Sequence, residues 1–168
     1  EHAAQTRRVA VLWLDAHPDA ESAESSPSGA FTGMVLRAIA GEGEDLVRLE
    51  PGIAPSRLVL VATRAWDPEE EAFVAAHGIT VVRADELSSP DALADAVAAT
   101  GATRTHVHID LDALDPADIA GVAQAVPFGA RTADVVASVR RLRERLPMAG
   151  ATLTEFSPSS PAAARSVS

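Results

Sequence analysis

The chain has 168 residues, long enough to bury a substantial apolar core. Its net charge of −10, from 24 acidic against 14 basic residues, excludes nucleic-acid binding through a basic surface and suits metal cations or a cationic ligand. The absence of cysteine excludes disulfides and thiolate metal sites, and no apolar run approaches the ~20 residues of a membrane span.

Residues 1–8 read as the end of a helix leading into a strand, and the first residue is Glu1 rather than Met. No signal-peptide pattern is visible, so a cytoplasmic location is expected. Val9 to Leu14 is a short, continuous apolar run, as in a strand buried on both faces. Asp15 to Gly33 is a long loop rich in Ser, Pro, Gly and Ala, and loops of that length are usually functional. A helix is expected over Gly33 to Ala40 and a short strand over Asp45 to Leu49. Leu58 to Ala62 is a second buried strand.

Asp67 to His77 reads as a helix. Pro68 lies in its first turn, Glu69, Glu70 and Glu71 sit where the helix dipole favours acids, and Gly78 closes it. Ile79 to Arg83 is a strand, Pro90 to Ala99 a helix ending at Gly101, and Thr105 to Leu111 a strand. Thr132 to Leu146 is a helix with an apolar face at Val135, Val136, Val139 and Leu142. Ala151 to Phe156 is the last strand, and Ser157 to Ser168 is a small-residue tail expected to be flexible. Strands alternating with helices imply an α/β fold of three layers, α/β/α, around a mostly parallel sheet.

Polar groups recur at one place in this pattern. Asp15, His17 and Asp19 follow the first strand, Arg64 and Asp67 the second. Asp110, Asp112 and Asp115 close the Thr105 strand, and Glu155 closes the last. All fall at carboxyl ends of parallel strands, the edge where open α/β sheets bind ligands. In an extended exit from a strand, Asp15, His17 and Asp19 share one side. Taken alone, D-A-H-P-D suits a capped turn and a metal site equally. Asp110 and Asp112 tip the balance, because two carboxylates at a buried strand end repel each other unless a cation neutralises them. The segment fails the calcium-loop pattern, with no Gly at its sixth position and no Glu at its twelfth. It also fails the D-x-D-x-T phosphotransferase pattern, with Leu114 at the last position. Carboxylates with an interleaved His suit a pair of divalent ions, manganese first, that can share and activate a water.

Three segments in order, WLDAHPD, HIDLDALDP and TEFSP, resemble the ureohydrolase motifs W-x-D-A-H-x-D, S-x-D-x-D-x-x-D-P and E-x-N-P. This family comprises arginase, agmatinase, formiminoglutamase and relatives, and the resemblance spans roughly Val9 to Pro158. It implies a truncated arginase-like fold, with residues 1–156 as one domain lacking the family's N-terminal part. Carried over by motif position, Asp15 and Asp110 bridge two manganese ions. His17 and Asp112 complete one shell, while Asp19 binds the other ion and orients a bridging hydroxide. Glu155 pairs with the substrate guanidinium, Ser28 falls in a substrate-binding segment, and Asp67 matches an arginase Asp that helps hold the substrate's α-amino group. The implied reaction is hydroxide attack on the guanidinium carbon of arginine or a relative, releasing urea and an amine. A homo-oligomer is also implied.

Departures from the pattern define the alternatives. No G-G-x-H metal ligand precedes the first motif. Where many members have S-G-N-x-H-G, this chain has Ser28-Gly29-Ala30-Phe31-Thr32-Gly33, so Thr32 replaces a proton-shuttling His. Glu21 replaces a substrate-binding Asn and argues against a substrate carboxylate. The Gly- and Pro-rich segment after D-P is eroded to 121–127. His108 shares the side of Asp110 and Asp112, where the family has Ser. It reads as a packed residue or one supporting a ligand, with substitution for the absent imidazole as the alternative. His2, His77 and His106 read as structural or surface residues, Trp13 and Trp66 as packing. The competing readings are a non-catalytic homologue that binds metal, and an interaction subunit associating with active copies.

Overall fold

A computed structural model describes residues 8–160 and residue 164. Five strands form one parallel sheet: β1 (Val9–Leu14), β2 (Leu58–Val61), β3 (Thr80–Val82), β4 (Arg104–Asp110) and β5 (Met148–Thr154), in the order β3-β2-β1-β4-β5. Four α-helices connect them: α1 (Val35–Ile39), α2 (Pro68–His77), α3 (Ala92–Ala99) and α4 (Thr132–Arg145). The expected three-layer α/β/α architecture is present.

Alternation along β1 explains the layers. Ala10, Leu12 and Leu14 point to one face, where they pack with Leu93 and Val97 of α3 and Val135 and Leu142 of α4. Val11 and Trp13 point to the other, where they meet Leu36 of α1 and Phe73 and Val74 of α2. The chain thus runs outward from β1 through β2 to β3 with its helices on one face. It then returns to the far side of β1 as β4 and continues to β5 with its helices on the opposite face. The reversal falls between β1 and β4, so the crevice at their carboxyl ends is the topological switch point of the sheet. Leu14 pairs with Ile109, and one further step along this register brings Asp15 beside Asp110.

Local sequence accounts for α2. Asp67 caps it, accepting hydrogen bonds from the Glu69 and Glu70 amides, while a Glu70 oxygen lies 3.2 Å from the Asp67 amide that it accepts from. Gly78 ends the helix in the left-handed region, at φ 61°.

Several expectations are corrected. Residues 45–49 form a turn, with the Val47 and Arg48 amides bonded to the Glu44 carbonyl and Leu46 99% exposed, so local turn bonds take the place of strand pairing. The helix expected from Gly33 is a 3₁₀ turn, Phe31–Met34, followed by the short α1. The last strand starts at Met148 and stops at Thr154, leaving Glu155 beyond it. On α4 the buried positions are Val135, Ser138 and Leu142, whereas Val136 is 42% exposed. At the start of the expected tail, the Ser157 amide bonds to the Gly121 carbonyl. Residues 1–7, 161–163 and 165–168, and the expectations for them, lie outside the described residues.

Candidate metal centre

At the β1/β4 switch point an open cleft of about 170 Å³ is lined by Asp15, His17, Asp19, Glu21, Ser28, Thr32, Gly33, Glu70, Asp110, Asp112, Gln124 and Glu155.

Asp15 and Asp110 are held by the same device. Each accepts a bond from the amide two residues on, from His17 to Asp15 at 2.7 Å and from Asp112 to Asp110 at 3.0 Å. The bonds fold each chain sharply at the end of its strand and turn the carboxylates to a common point. Asp112 also takes the Ala16 amide at 2.9 Å, joining the two loops, and Thr154 Oγ1 donates to Asp110 at 3.2 Å. Asp19 and Glu155 have left-handed backbones, with φ of 52° and 60°. Non-glycine residues adopt that region at a cost of about 1–3 kcal/mol, and such strain clusters at functional sites.

The site concentrates negative charge. Asp15 is only 2% exposed, and Asp110 and Asp112 are also buried. Burial, with repulsion from Asp112, raises the Asp15 pKa to about 6 against a hydrogen bond from His17. Burial and repulsion from Asp15 raise Asp19 to about 9, and burial likewise raises Asp110 to about 7. Burial also pushes Asp112 upward, but hydrogen bonds from His17 and the Ala16 amide outweigh it and hold this carboxyl below its ordinary range. His17 Nδ1 lies 3.0 Å from Asp112 and 3.5 Å from Asp15, and these bonds raise its pKa to about 10.

Among the described residues, two groups of donors have ligand atoms mutually within 4.8 Å: Asp15, His17 and Asp112, and Asp15, His108 and Asp110. Asp15 belongs to both. Buried carboxylates converging with imidazoles are a donor set suited to divalent cations.

Of the residues expected from sequence, Asp15, His17, Asp19, Asp110, Asp112, Glu155 and Ser28 all line the cleft. Asp67 is not brought there; its carboxylate serves the N-terminus of α2. Glu70 was missed. It is buried at the cleft and accepts from the Ala20 and Asp67 amides, with burial raising its pKa. The D-P-E-E capping-box spacing was the available signal, although it does not reveal the tie to Ala20. Arg64 lies outside the cleft and braces its walls. Its guanidinium donates to the carbonyls of Ala62, Asp112, Ala113, Val126 and Pro127.

Comparison with known proteins bears on the fold and the family. The model of the Arginase family matches residues 1–167. Arginase of Bacillus caldovelox is 32% identical over 160 residues, covering 90% of this chain and 54% of the relative. The native structure of that enzyme superposes with a TM-score of 0.84 at 30% identity, covering 95% of this chain and 57% of that one. Proclavaminate amidino hydrolase from Streptomyces clavuligerus superposes with a TM-score of 0.70 at 25% identity, covering 95% and 51%. The chain therefore spans about half the length of the relatives it matches. With nearly every residue inside the family's model and the fold shared with a solved arginase, the chain belongs to the arginase family.

Proposed function

We propose that the protein is a manganese-dependent hydrolase of linear amidines that cleaves a guanidino substrate to urea and an amine. The observation that carries this reading is the pair of donor groups sharing Asp15 at the switch point. Asp15, His17, Asp19, Asp110 and Asp112 would hold the metal. Bound ions supply Lewis-acid charge and lower the pKa of a shared water toward neutrality.

The remaining roles belong to the chain's own residues. Asp19 orients the nucleophile, Glu155 at the rim pairs with the guanidinium, and Ser28 contacts the rest of the substrate. Glu21 bears on substrate choice, because its carboxylate lines the cleft and disfavours a substrate ending in a carboxylate. A guanidino compound without that group, such as agmatine, fits better than arginine. The net charge of −10 favours such a cation over the whole surface. A cytoplasmic homo-oligomer is part of this reading, and no helix among the described residues is long and apolar enough to cross a membrane.

The test is urea release from arginine, agmatine and related guanidino compounds with added manganese. Turnover of agmatine above arginine is expected, and no product from any of them would refute hydrolysis. One observation favours a second reading, a chain that binds metal without turnover. Thr32 lines the cleft where the family motif has a His, and a hydroxyl lacks the near-neutral pKa that makes an imidazole an effective general acid–base.

A further inference from the structure

We propose that His108 is a metal ligand, donating Nε2 to the ion held by Asp15 and Asp110; this rests on the metal-centre reading above. The two donor groups are alike in composition. Each contains one imidazole and two carboxylates, and Asp15 is common to both. His17 serves the group with Asp112. In the other group, the imidazole within 4.8 Å of the Asp15 and Asp110 donor atoms is His108, which comes from within β4 rather than from a loop.

His108 is built into this position. Alternation along β4 puts it on the side of Asp110, one step back from the strand end, and its register partner is Trp13. The two rings stack with centroids 3.8 Å apart and planes at 21°, which fixes the tilt of the imidazole. Nδ1 lies 2.8 Å from Thr152 Oγ1 on β5, the neighbouring strand. A hydrogen bond from Nδ1–H to that hydroxyl selects the tautomer whose Nε2 carries the lone pair. Metal-bound histidines are oriented in the same way, by a partner on the second ring nitrogen. The residue is only 9% exposed, so stacking and Thr152 restrict the ring before any ion arrives. Pre-orientation of this kind lowers the ordering cost of binding.

His108 would thus give the ion at Asp15 and Asp110 a nitrogen donor and make the two ions chemically similar. Each would have one imidazole and shared carboxylates. Thr152 and Trp13 are positioning residues in this arrangement, since they act on the ion through the ring.

The test uses manganese alone as the probe and reads binding rather than turnover. Isothermal titration of the metal-free chain is compared with titration of His108→Ala, whose fold is checked by circular dichroism. Weakening of one ion by at least tenfold, with the other unchanged, is the expected result. A second measurement leaves His108 in place. In His17→Ala, pulsed electron paramagnetic resonance of bound manganese should still show a directly coordinated histidine nitrogen. In the His17→Ala, His108→Ala double variant that coupling should vanish. Thr152→Val, which removes the hydrogen bond but keeps the shape, should weaken the same ion. The proposal is overturned if His108→Ala binds both ions as the parent does, or if His17→Ala holds manganese with no nitrogen coupling. A parent chain that takes up no manganese overturns the metal-centre reading itself.

Discussion

Asp15 shows most directly how a residue identity becomes a site. Its carboxylate accepts from the His17 amide, pairs with the His17 imidazole and belongs to both donor groups. Its neighbourhood sets a pH dependence whose sign can be worked out. Asp15, Asp19 and Asp110 are raised to about 6, 9 and 7, and His17 to about 10. The native metal-free state therefore binds more protons than the unfolded chain, from about pH 4 for the aspartates and about pH 6.5 for His17. The stability these groups contribute is fully present below those values and lost as pH rises through the raised ones. Asp112, held below its ordinary value, acts in the opposite sense only at acid pH. Thermal melts in the presence of a chelator should show a falling midpoint from pH 6 to pH 9. Manganese must displace the same protons, so its affinity should rise over that interval. Titration near pH 7 in buffers of different ionisation enthalpy should give different apparent heats. Buffer-independent heats would contradict the assignment of these protons.

At the scale of elements, α2 and the strand ends differ in what they ask of their aspartates. Asp67 accepts two amide bonds at the start of α2 and is not among the residues lining the cleft, so helix capping is the contribution its contacts show. Asp67→Ala should cost about 1 kcal/mol in chemical denaturation, whereas Asp67→Asn, itself a good cap, should cost much less. Neither should change manganese affinity. A rise in KM with Asp67→Asn at unchanged stability would instead restore the substrate-holding role that the family resemblance implied. The connecting loops show a similar division. The Arg64 and Ala65 amides both bond to the Ala16 carbonyl, and the Arg64 guanidinium reaches the carbonyls that follow β4. One side chain thus ties the segments after β2 and β4 to the loop that bears Asp15 and His17. Arg64 was legible as a polar residue at a strand end. Its work on backbone carbonyls was not, because the residues it joins are 48 to 63 positions apart.

At the scale of the molecule, the sheet is unevenly covered. Among the described residues β5 pairs only with β4, and Leu153 is 63% exposed on it. Beside it, an apolar groove of about 550 Å³ is lined by residues including Val9, Val11, Trp13, Ala149, His108 and Thr152, so the His108 ring lies between this groove and the carboxylates of the cleft. A free parallel edge with exposed apolar side chains promotes association through backbone pairing. Light scattering should therefore show mass rising with protein concentration. Leu153→Lys, which charges the edge without touching the cleft, should shift the population toward smaller species. No concentration dependence in either protein would show that the edge is passive.

The sequence by itself determined the alternation of strands and helices, the parallel sheet and the positions of the polar strand ends. These are local properties, carried by apolar runs such as Val9 to Leu14 and Leu58 to Val61 and by cap signals such as Asp67-Pro68 and Gly78. It also brought Asp15, His17, Asp19, Asp110, Asp112 and Glu155 under suspicion together, since every parallel strand delivers its exit to the same edge. Only the tertiary structure decided which residues meet there. The strand order placed β4 beside β1, so Asp15 and Asp110 became neighbours and Asp67 did not join them. The β4 register and the Thr152 hydroxyl on β5 turned His108 from a packed residue into a candidate donor. Those outcomes depend on contacts across 44 to 96 positions, which no local pattern encodes.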